Sequence, residues 1–294
     1  MKGFNAKRKI PGKTKPNRTQ AYRIGLIEWY TEQEELDDLY YYSIRLGIEK
    51  KAQELGYEIL RVFQNDSLEQ LKDIDGLIAI GKFSPVQIQQ LEQYSNHLVF
   101  VDSDTLNAGH SCVTVDFEHA VQKVLQHFIS SGFEQIGMIA GQERTSDQTS
   151  IISDPRLASF QRYLSDKGIF QPDFVKVGNF SSESGYQMMT ELINEHKDQL
   201  PPAFFISSDA LAIGALRALQ EHGIQVPQDV SIISFNDTSI AKYIYPSLST
   251  VTVFTEEMGK QALHILDQSL ASEEDSIPYM VKLSTKLTIR ESSI

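Results

Sequence analysis

The chain has 294 residues, of which 41% are hydrophobic and 22% are charged, and its formal net charge is −12. This length suits one large domain or two ordinary ones, and the composition excludes a disordered or fibrous chain. Cys112 is the only cysteine, which excludes an intramolecular disulfide and a thiolate metal site and favours a cytoplasmic protein. No apolar run reaches the roughly 18 residues of a membrane helix, and no secretory signal follows the basic N-terminus, so we expect no membrane partner.

Charge is unevenly distributed along the chain. Residues 1–23 hold eight of the 27 basic side chains and no acidic one, so the remainder combines 19 bases with 39 acids. An acidic body repels the phosphates of nucleic acids, and any DNA contact must therefore come from the basic segment or from a part outside this chain. We interpret residues 1–21 either as a solvated linker or as the remnant of a hinge.

Strand and helix signals alternate from Tyr22 onward. In chain order the predicted elements are strand 23–27, helix 40–55, strands 57–63 and 76–80, helix 85–94, strand 98–101, helix 117–131, strand 136–140, helix 155–167, strand 174–177, helix 182–195, strand 203–206, helix 209–221 and strand 230–235. Apolar strands between helices indicate parallel sheets buried on both faces. About nine such strands exceed a comfortable single sheet, so the sequence predicts an α/β fold with two doubly wound parallel-sheet lobes.

Ligands in doubly wound folds bind beyond the carboxyl ends of the strands. The loops at those ends contain carboxylates, amides, an arginine and aromatic rings, which are the groups that bind the hydroxyls and the apolar faces of sugars. The candidate binding residues are Trp29, Tyr40, Tyr41, Asp102, Arg156, Phe180, Asp209, Asn236 and Asp237.

The sequence offers little for catalysis. It has no Walker loop, no GxGxxG and no nucleophile elbow, and its histidines lack metal-binding spacings, so we expect no catalytic residue, no metal and no cofactor. Asp102 and Asp104 could act as an acid–base pair, but two residues on one loop rarely flank a glycosidic bond from both sides. A glycosidase therefore ranks below a binding protein.

Two segments carry a specific resemblance to a known family. Residues 206–217 read ISSDALAIGALR and residues 226–237 read VPQDVSIISFND, followed by PSLSTV at 246–251 and LTIRES at 287–292. These motifs resemble the lactose/galactose repressor family of bacterial transcription regulators, and the resemblance covers residues 22–294. It implies a periplasmic-binding-protein type I fold with three crossovers between the lobes, near Val115, Thr252 and Thr285.

The resemblance also implies lobe boundaries and roles for single residues. Residues 22–115 plus 253–284 are expected to form the N-terminal lobe, and residues 116–252 plus 285–294 the C-terminal lobe. Positions matched to effector contacts in the family are Tyr40 and Tyr41 in the first lobe and Arg156, Phe180, Ser208, Asp209 and Asn236 in the second. We expect ligand binding to depend most on Arg156; the alternative for this residue is a surface ion pair with Asp154 or Asp237.

The implied function is that of an effector-sensing, dimerising core of a transcription regulator. The family's helix-turn-helix headpiece is not recognisable before Tyr22, so we expect operator DNA to be bound through a headpiece missing from this chain, removed rather than naturally absent. The effector is expected to be a neutral saccharide, since a phosphorylated sugar requires more cations than Arg156 and Lys82 supply. Helix 40–55 and loop 240–245 are expected to pair two copies into a homodimer. The alternative is a soluble sugar-binding receptor without a DNA partner.

Overall fold

The computed structural model describes residues 21–37, 39–272 and 277–294; all but the last residue of the basic segment 1–21 lies outside them. The strands are β1 Arg23–Glu28, β2 Glu58–Val62, β3 Gly76–Ile80, β4 Leu98–Val101, β5 Ser111–Val115, β6 Ile136–Gly141, β7 Glu143–Arg144, β8 Ile151–Ile152, β9 Val175–Gly178, β10 Ala203–Ile206, β11 Ser231–Asn236, β12 Ser249–Thr252, β13 Met280–Leu283 and β14 Lys286–Thr288. The helices are α1 Glu32–Asp37, α2 Leu39–Leu55, α3 Pro85–Glu92, α4 Phe117–Ser130, α5 Pro155–Asp166, α6 Ser182–His196, α7 Asp209–Glu221 and α8 Thr255–Leu270.

The strands form two six-stranded sheets and one short ribbon. The first sheet has the order β13-β5-β4-β3-β1-β2 and is parallel throughout. The second has the order β14-β12-β11-β10-β6-β9, in which only the edge strand β14 is antiparallel. Strands β7 and β8 form the separate ribbon. The predicted α/β fold with two doubly wound lobes is confirmed.

The chain passes between the two sheets three times, as the family resemblance implied. It leaves the first sheet after Val115, leaves the second after Thr252, and passes from β13 to β14 through a short link that contains Thr285. Strands β5, β7, β8, β12, β13 and β14 and helices α1 and α8 were not recognised from periodicity alone. Two of them are sheet-edge strands of three or four residues, too short for a clear alternating pattern.

Helix ends are set by local chemistry close to the loops of interest. Ser84 caps α3 in a reciprocal capping box with Gln87, and proline occupies the first turn of that helix. Asp154 caps α5, which begins at Pro155 where the sequence predicted it. Ser208 caps α7 by accepting a hydrogen bond from the Leu211 amide at 3.2 Å.

Helix α2 faces inward more than its sequence suggested. Tyr40, Tyr41, Ile44 and Ile48 are all buried in the core of the first lobe. Tyr40 and Tyr41 are therefore not part of an exposed pairing surface, because they pack in the core and line the cleft described below. Leu39 and Tyr42, in contrast, are each 38% exposed. Throughout the described part of the chain, no helix is long and apolar enough to cross a membrane.

Candidate ligand-binding site

Loops from the carboxyl ends of both sheets meet around a small space of about 50 Å³, here called the inner cavity. Lys82 follows β3, Asp102 follows β4, Glu143 follows β6 and Asn236 ends β11, so both sheets contribute to it. Its lining residues are Tyr40, Tyr41, Lys82, Asp102, Phe117, Glu143, Ile152, Pro155, Arg156, Phe180 and Asn236.

A wider space of about 430 Å³, here called the outer cavity, shares Tyr41, Glu143 and Phe180 with the inner one. Its remaining walls are Trp29, Tyr30, Glu34, Glu35, Gln64, Gln142, Arg144, Gln148, Asn179 and Ser181. Ligand pockets usually measure about 300–1,000 Å³. The outer cavity is within that range, whereas the inner one must widen before a sugar ring can enter.

Asp102 is the acceptor on which the first lobe's polar groups converge. Its backbone has a φ of 64°, a left-handed conformation, and its side chain is buried. Tyr40 and Tyr41 donate hydroxyl hydrogen bonds to its two carboxylate oxygens at 3.1 Å each, and Lys82 Nζ approaches one of them at 2.7 Å. The carboxylate is therefore held in place and surrounded by donors.

Glu143 faces Asp102 from the second lobe. The Tyr41 hydroxyl lies 3.1 Å from Glu143 Oε1 and 3.1 Å from Asp102 Oδ2, but it has only one proton to donate. Burial raises the pKa of the Glu143 carboxyl above its ordinary range, and Lys82 Nζ at 3.9 Å offsets this only in part. Burial also opposes the charge of Lys82, but the two carboxylates outweigh it and raise the Lys82 pKa.

Arg156 is held rigidly at the second lobe's side of the inner cavity. Its Nε donates to Asp154 Oδ1 at 2.7 Å and one terminal nitrogen donates to the Ser207 carbonyl oxygen at 2.8 Å. The guanidinium lies over three aromatic rings, with centroid distances of 5.4 Å to Phe117, 4.9 Å to Phe180 and 5.1 Å to Phe235. The ion pair with Asp154 thus exists, but it is buried and continuous with the site.

Six of the ten residues singled out from the sequence line the inner cavity, and a seventh, Trp29, lines the outer one. The six are Tyr40, Tyr41, Asp102, Arg156, Phe180 and Asn236. Ser208, Asp209 and Asp237 line neither. Asp237 is instead paired with Arg290 at 2.6 Å and accepts from Thr252 at 2.8 Å.

Asp209 anchors the second lobe behind the site. Its carboxylate accepts hydrogen bonds from the hydroxyls of Ser234 at 2.5 Å and Thr250 at 3.0 Å, and from the amide and hydroxyl of Thr238. Burial raises the pKa of Asp209 to about 6, although these hydrogen bonds lower it in part. With four donors already bound, Asp209 holds the start of α7 against β11 and β12.

Five residues that line the inner cavity were not predicted from the sequence as binding residues, namely Lys82, Phe117, Glu143, Ile152 and Pro155. The strand-end rule pointed to the loops that carry Lys82 and Glu143, but an isolated lysine or glutamate in a loop usually belongs to the solvated surface. Only the approach of the two lobes brings these charges together. No described residues form a cluster of three or more histidine, cysteine, aspartate or glutamate side chains suited to a metal ion.

Comparison with known proteins places the chain in a family. Residues 125–293 match the family described as "Periplasmic binding protein-like domain". The HTH-type transcriptional regulator GalR of Streptococcus thermophilus is 51% identical over 277 residues, which cover 94% of this chain and 83% of that protein. The HTH-type transcriptional regulator GalR of Lacticaseibacillus casei is 37% identical over 276 residues, covering 92% and 82%. The lac repressor dimer bound to operator and the anti-inducer ONPF shares the fold, with a TM-score of 0.79 at 21% identity over 94% of this chain and 96% of that one. As its motifs predicted, the chain belongs to the lactose/galactose repressor family of transcription regulators.

Proposed function

We propose that this chain senses a neutral saccharide in the cleft between its lobes and couples that binding to the operator affinity of a transcription regulator. The observation that carries the proposal is the pair of facing carboxylates, Asp102 and Glu143, with the hydroxyl of Tyr41 and the ammonium of Lys82 between them. The hydroxyl of Tyr40 donates to Asp102 as well. Adjacent sugar hydroxyls both donate and accept, so they can replace these internal bonds. The rings of Trp29 and Phe180 supply apolar faces.

The charge of the inner cavity favours a neutral effector over a phosphorylated one. Lys82 is already paired with Asp102 at 2.7 Å and Arg156 with Asp154 at 2.7 Å. A phosphate would therefore meet carboxylates rather than free cations, and like charges at close range oppose binding. The site residues that line the cavities, the lobe boundaries at 115/116, 252/253 and 284/285 and the homodimer are all part of this proposal.

The coupling follows from the two lobes and their three connections. A ligand that contacts both lobes stabilises one angle between them, and in a dimer that angle sets the separation of two DNA-binding headpieces. A difference of about 1–3 kcal/mol in ligand affinity between two states changes operator affinity by roughly 5- to 150-fold. The names of the relatives, which are HTH-type regulators, favour this function over a sugar receptor without a DNA partner.

A ligand screen with two matched variants tests the proposal. Thermal shift and calorimetry compare the binding of galactose and lactose with that of galactose 1-phosphate and guanine. A ligand present at 100 times its dissociation constant raises the free energy of unfolding by about 2.7 kcal/mol. We expect stabilisation by a neutral saccharide alone. Arg156→Ala should weaken its binding at least about tenfold and, because Asp154 would lose its buried partner, should also destabilise the fold by roughly 3 kcal/mol.

The control for Arg156 is Arg162→Ala, on the same helix. Arg162 is exposed and pairs with exposed Glu118 at 2.8 Å, so its loss should change stability and binding little. Stabilisation by galactose 1-phosphate or guanine and by neither sugar would overturn the saccharide assignment. Saccharide binding of unchanged strength in Arg156→Ala would move the site away from the inner cavity.

A further inference from the structure

Residues 142–154, here called the strap, connect β6 to α5 and reach from the second lobe across to the first. The segment is a hairpin, in which Glu143 pairs with Ile152 and Arg144 with Ile151. The apolar periodicity of the sequence predicted no strand or helix between β6 and α5. A short antiparallel ribbon of two residues a side is not stable alone, so its position depends on what it contacts.

The tip of the strap is organised around the carboxylate of Asp147. Oδ1 accepts hydrogen bonds from the Thr145 hydroxyl at 2.7 Å and from the amide and hydroxyl of Thr149 at 3.2 and 2.7 Å. The Thr145 amide bonds to the Ser150 carbonyl oxygen at 2.9 Å and closes the turn. The tip therefore has a defined shape before it meets the other lobe.

Three hydrogen bonds dock this tip on the first lobe. Ser84 Oγ, at the start of α3, donates to Asp147 Oδ2 at 2.5 Å. The Ser146 amide donates to the Lys82 carbonyl oxygen at 2.9 Å, and the Gln64 side-chain amide donates to the Ser146 carbonyl oxygen. Thr145 and Ser146 are buried by the contact. All of these contacts are polar, so the strap can dock and release without exposing an apolar surface.

The stem of the strap forms walls of both cavities. Gln142, Glu143, Arg144 and Gln148 line the outer cavity, and Glu143 and Ile152 line the inner one. Glu143 is thus the point where the strap meets both Tyr41 and Lys82 of the first lobe. One segment joins the lobes and also touches any ligand between them.

We propose that the strap clamps the two lobes in their closed arrangement and that Glu143 is the acceptor through which a bound saccharide strengthens the clamp. The proposal rests on the proposed function for the identity of the ligand, but not for the docking of the tip. A saccharide hydroxyl that donates to Glu143 adds a bond between ligand and strap. Because the tip contacts hold the lobes together around the cleft, they slow the release of the ligand.

The docking contact is tested first without ligand, by a double-mutant cycle on Ser84 and Asp147. Hydrogen exchange of the Ser146 amide reports docking directly, because that amide donates across the lobes. We expect Ser84→Ala and Asp147→Ala each to accelerate this exchange about tenfold. Exchange of the Ser146 amide in the double variant should be no faster than in Asp147→Ala, since both substitutions remove the same hydrogen bond. Separate effects of each substitution on the α3 cap or on the turn cancel in the cycle. Multiplicative effects, or no acceleration, would overturn the clamp.

The ligand-binding role is tested by stopped-flow fluorescence with lactose. Trp29 is the only tryptophan, lines the outer cavity and lies 5.7 Å from the Tyr41 ring, so its emission reports occupancy. We expect lactose to dissociate about tenfold faster from Glu143→Gln and from Asp147→Ala than from the wild type. The controls are Glu134→Gln and Asp166→Asn, which change exposed acids of the same lobe.

The outcomes separate the two proposals. If wild-type protein binds neither galactose nor lactose but the Ser146 amide shows the expected cycle, the clamp stands while the ligand-binding role of Glu143 and the saccharide assignment fall. If lactose binds and leaves Glu143→Gln and Asp147→Ala at the wild-type rate, the saccharide assignment stands and the strap has no part in retaining the ligand.

Discussion

At the scale of single residues, the first lobe contains a buried charge cluster beside the outer cavity. Glu28, at the end of β1, has no exposed side-chain area, and Arg45 Nε lies 3.3 Å from it. Arg45 also pairs with Glu35 at 2.7 Å and Glu49 at 3.0 Å. Burial raises the pKa of Glu28 to about 7; the Tyr30 hydroxyl and Arg45 lower it only in part, and Glu35 raises it further. Arg45 and the more distant Arg61 do not offset the burial of this carboxyl, so Glu28 titrates near neutral pH.

This cluster predicts a pH-dependent stability. An acid whose pKa is raised by folding keeps its proton in the native state while the unfolded chain loses it, so the native state becomes less stable as pH rises from about 4.5 to 7. Glu28→Gln removes this effect. The free energy of unfolding of the variant minus that of the wild type should therefore increase by up to about 3 kcal/mol between pH 4.5 and pH 7.5. Urea denaturation at several pH values measures the difference.

The control for that measurement is Glu134→Gln, an exposed substitution of the same chemistry. Its difference from wild type should not change with pH across this range. If Glu28→Gln and Glu134→Gln behave alike, the Glu28 carboxyl is ionised in the native protein and Arg45 alone compensates its burial.

At the scale of elements, each lobe contains one pair of helices in unusually close contact. A Cβ added at Gly185 of α6 would lie 2.1 Å from the Leu211 carbonyl oxygen, and one at Gly214 of α7 would lie 1.8 Å from the Ser182 carbonyl oxygen. In the first lobe, Gly47 of α2 and Gly259 of α8 have the same reciprocal relation. Backbone meets backbone at all four positions, so no side-chain rearrangement can make room.

Gly214→Ala should therefore destabilise the protein by at least about 2 kcal/mol, measured by chemical denaturation. At an exposed helix position the same change would add up to about 1 kcal/mol of stability. Gly223→Ala serves as the comparison, because Gly223 has open space around it and a left-handed backbone with a φ of 72°. An alanine there bears only the cost of that conformation, about 1 kcal/mol. A stabilised Gly214→Ala variant would mean that the helices can separate freely.

At the scale of the whole molecule, the exposed aromatic residues mark the surface that we expect to pair two copies. Tyr243 is 85% exposed and Tyr245 is 81% exposed, next to Ile240 at 47%. Loop 240–245 was expected to contribute to the dimer, and it is the more exposed of the two surfaces named for that role. Large exposed aromatics grouped on one loop are typical of protein interfaces.

We therefore expect the protein to sediment as a dimer at micromolar concentration and the double variant Tyr243→Glu/Tyr245→Glu to sediment as a monomer. Two buried charges without partners would oppose the interface. Val86→Glu, at another exposed apolar position that is 61% accessible, should remain dimeric. A monomeric wild type, or a dimer that survives the double substitution, would locate the pairing surface elsewhere or remove it.

The sequence by itself determined the class of fold, most helix and strand positions and the family. Alternating apolar strands and amphipathic helices are local patterns, and the starts of α5 and α7 follow from Asp154, Pro155 and Ser208 at their caps. Six of the predicted binding residues line the inner cavity because the carboxyl ends of parallel strands meet at one edge. Such features depend on neighbours along the chain or on a general rule of topology.

Only the tertiary structure decided which polar side chains are available to a ligand. Asp209 belongs to the most family-specific motif, yet its oxygens are occupied by Ser234, Thr238 and Thr250, which arrive from distant parts of the chain. Glu143, in contrast, belongs to no sequence motif, and it lies in the cleft because the strap carries it there. A side chain's partners depend on contacts between segments far apart in sequence, and the free energy of burying a charge is set by those partners rather than by the residue's own type.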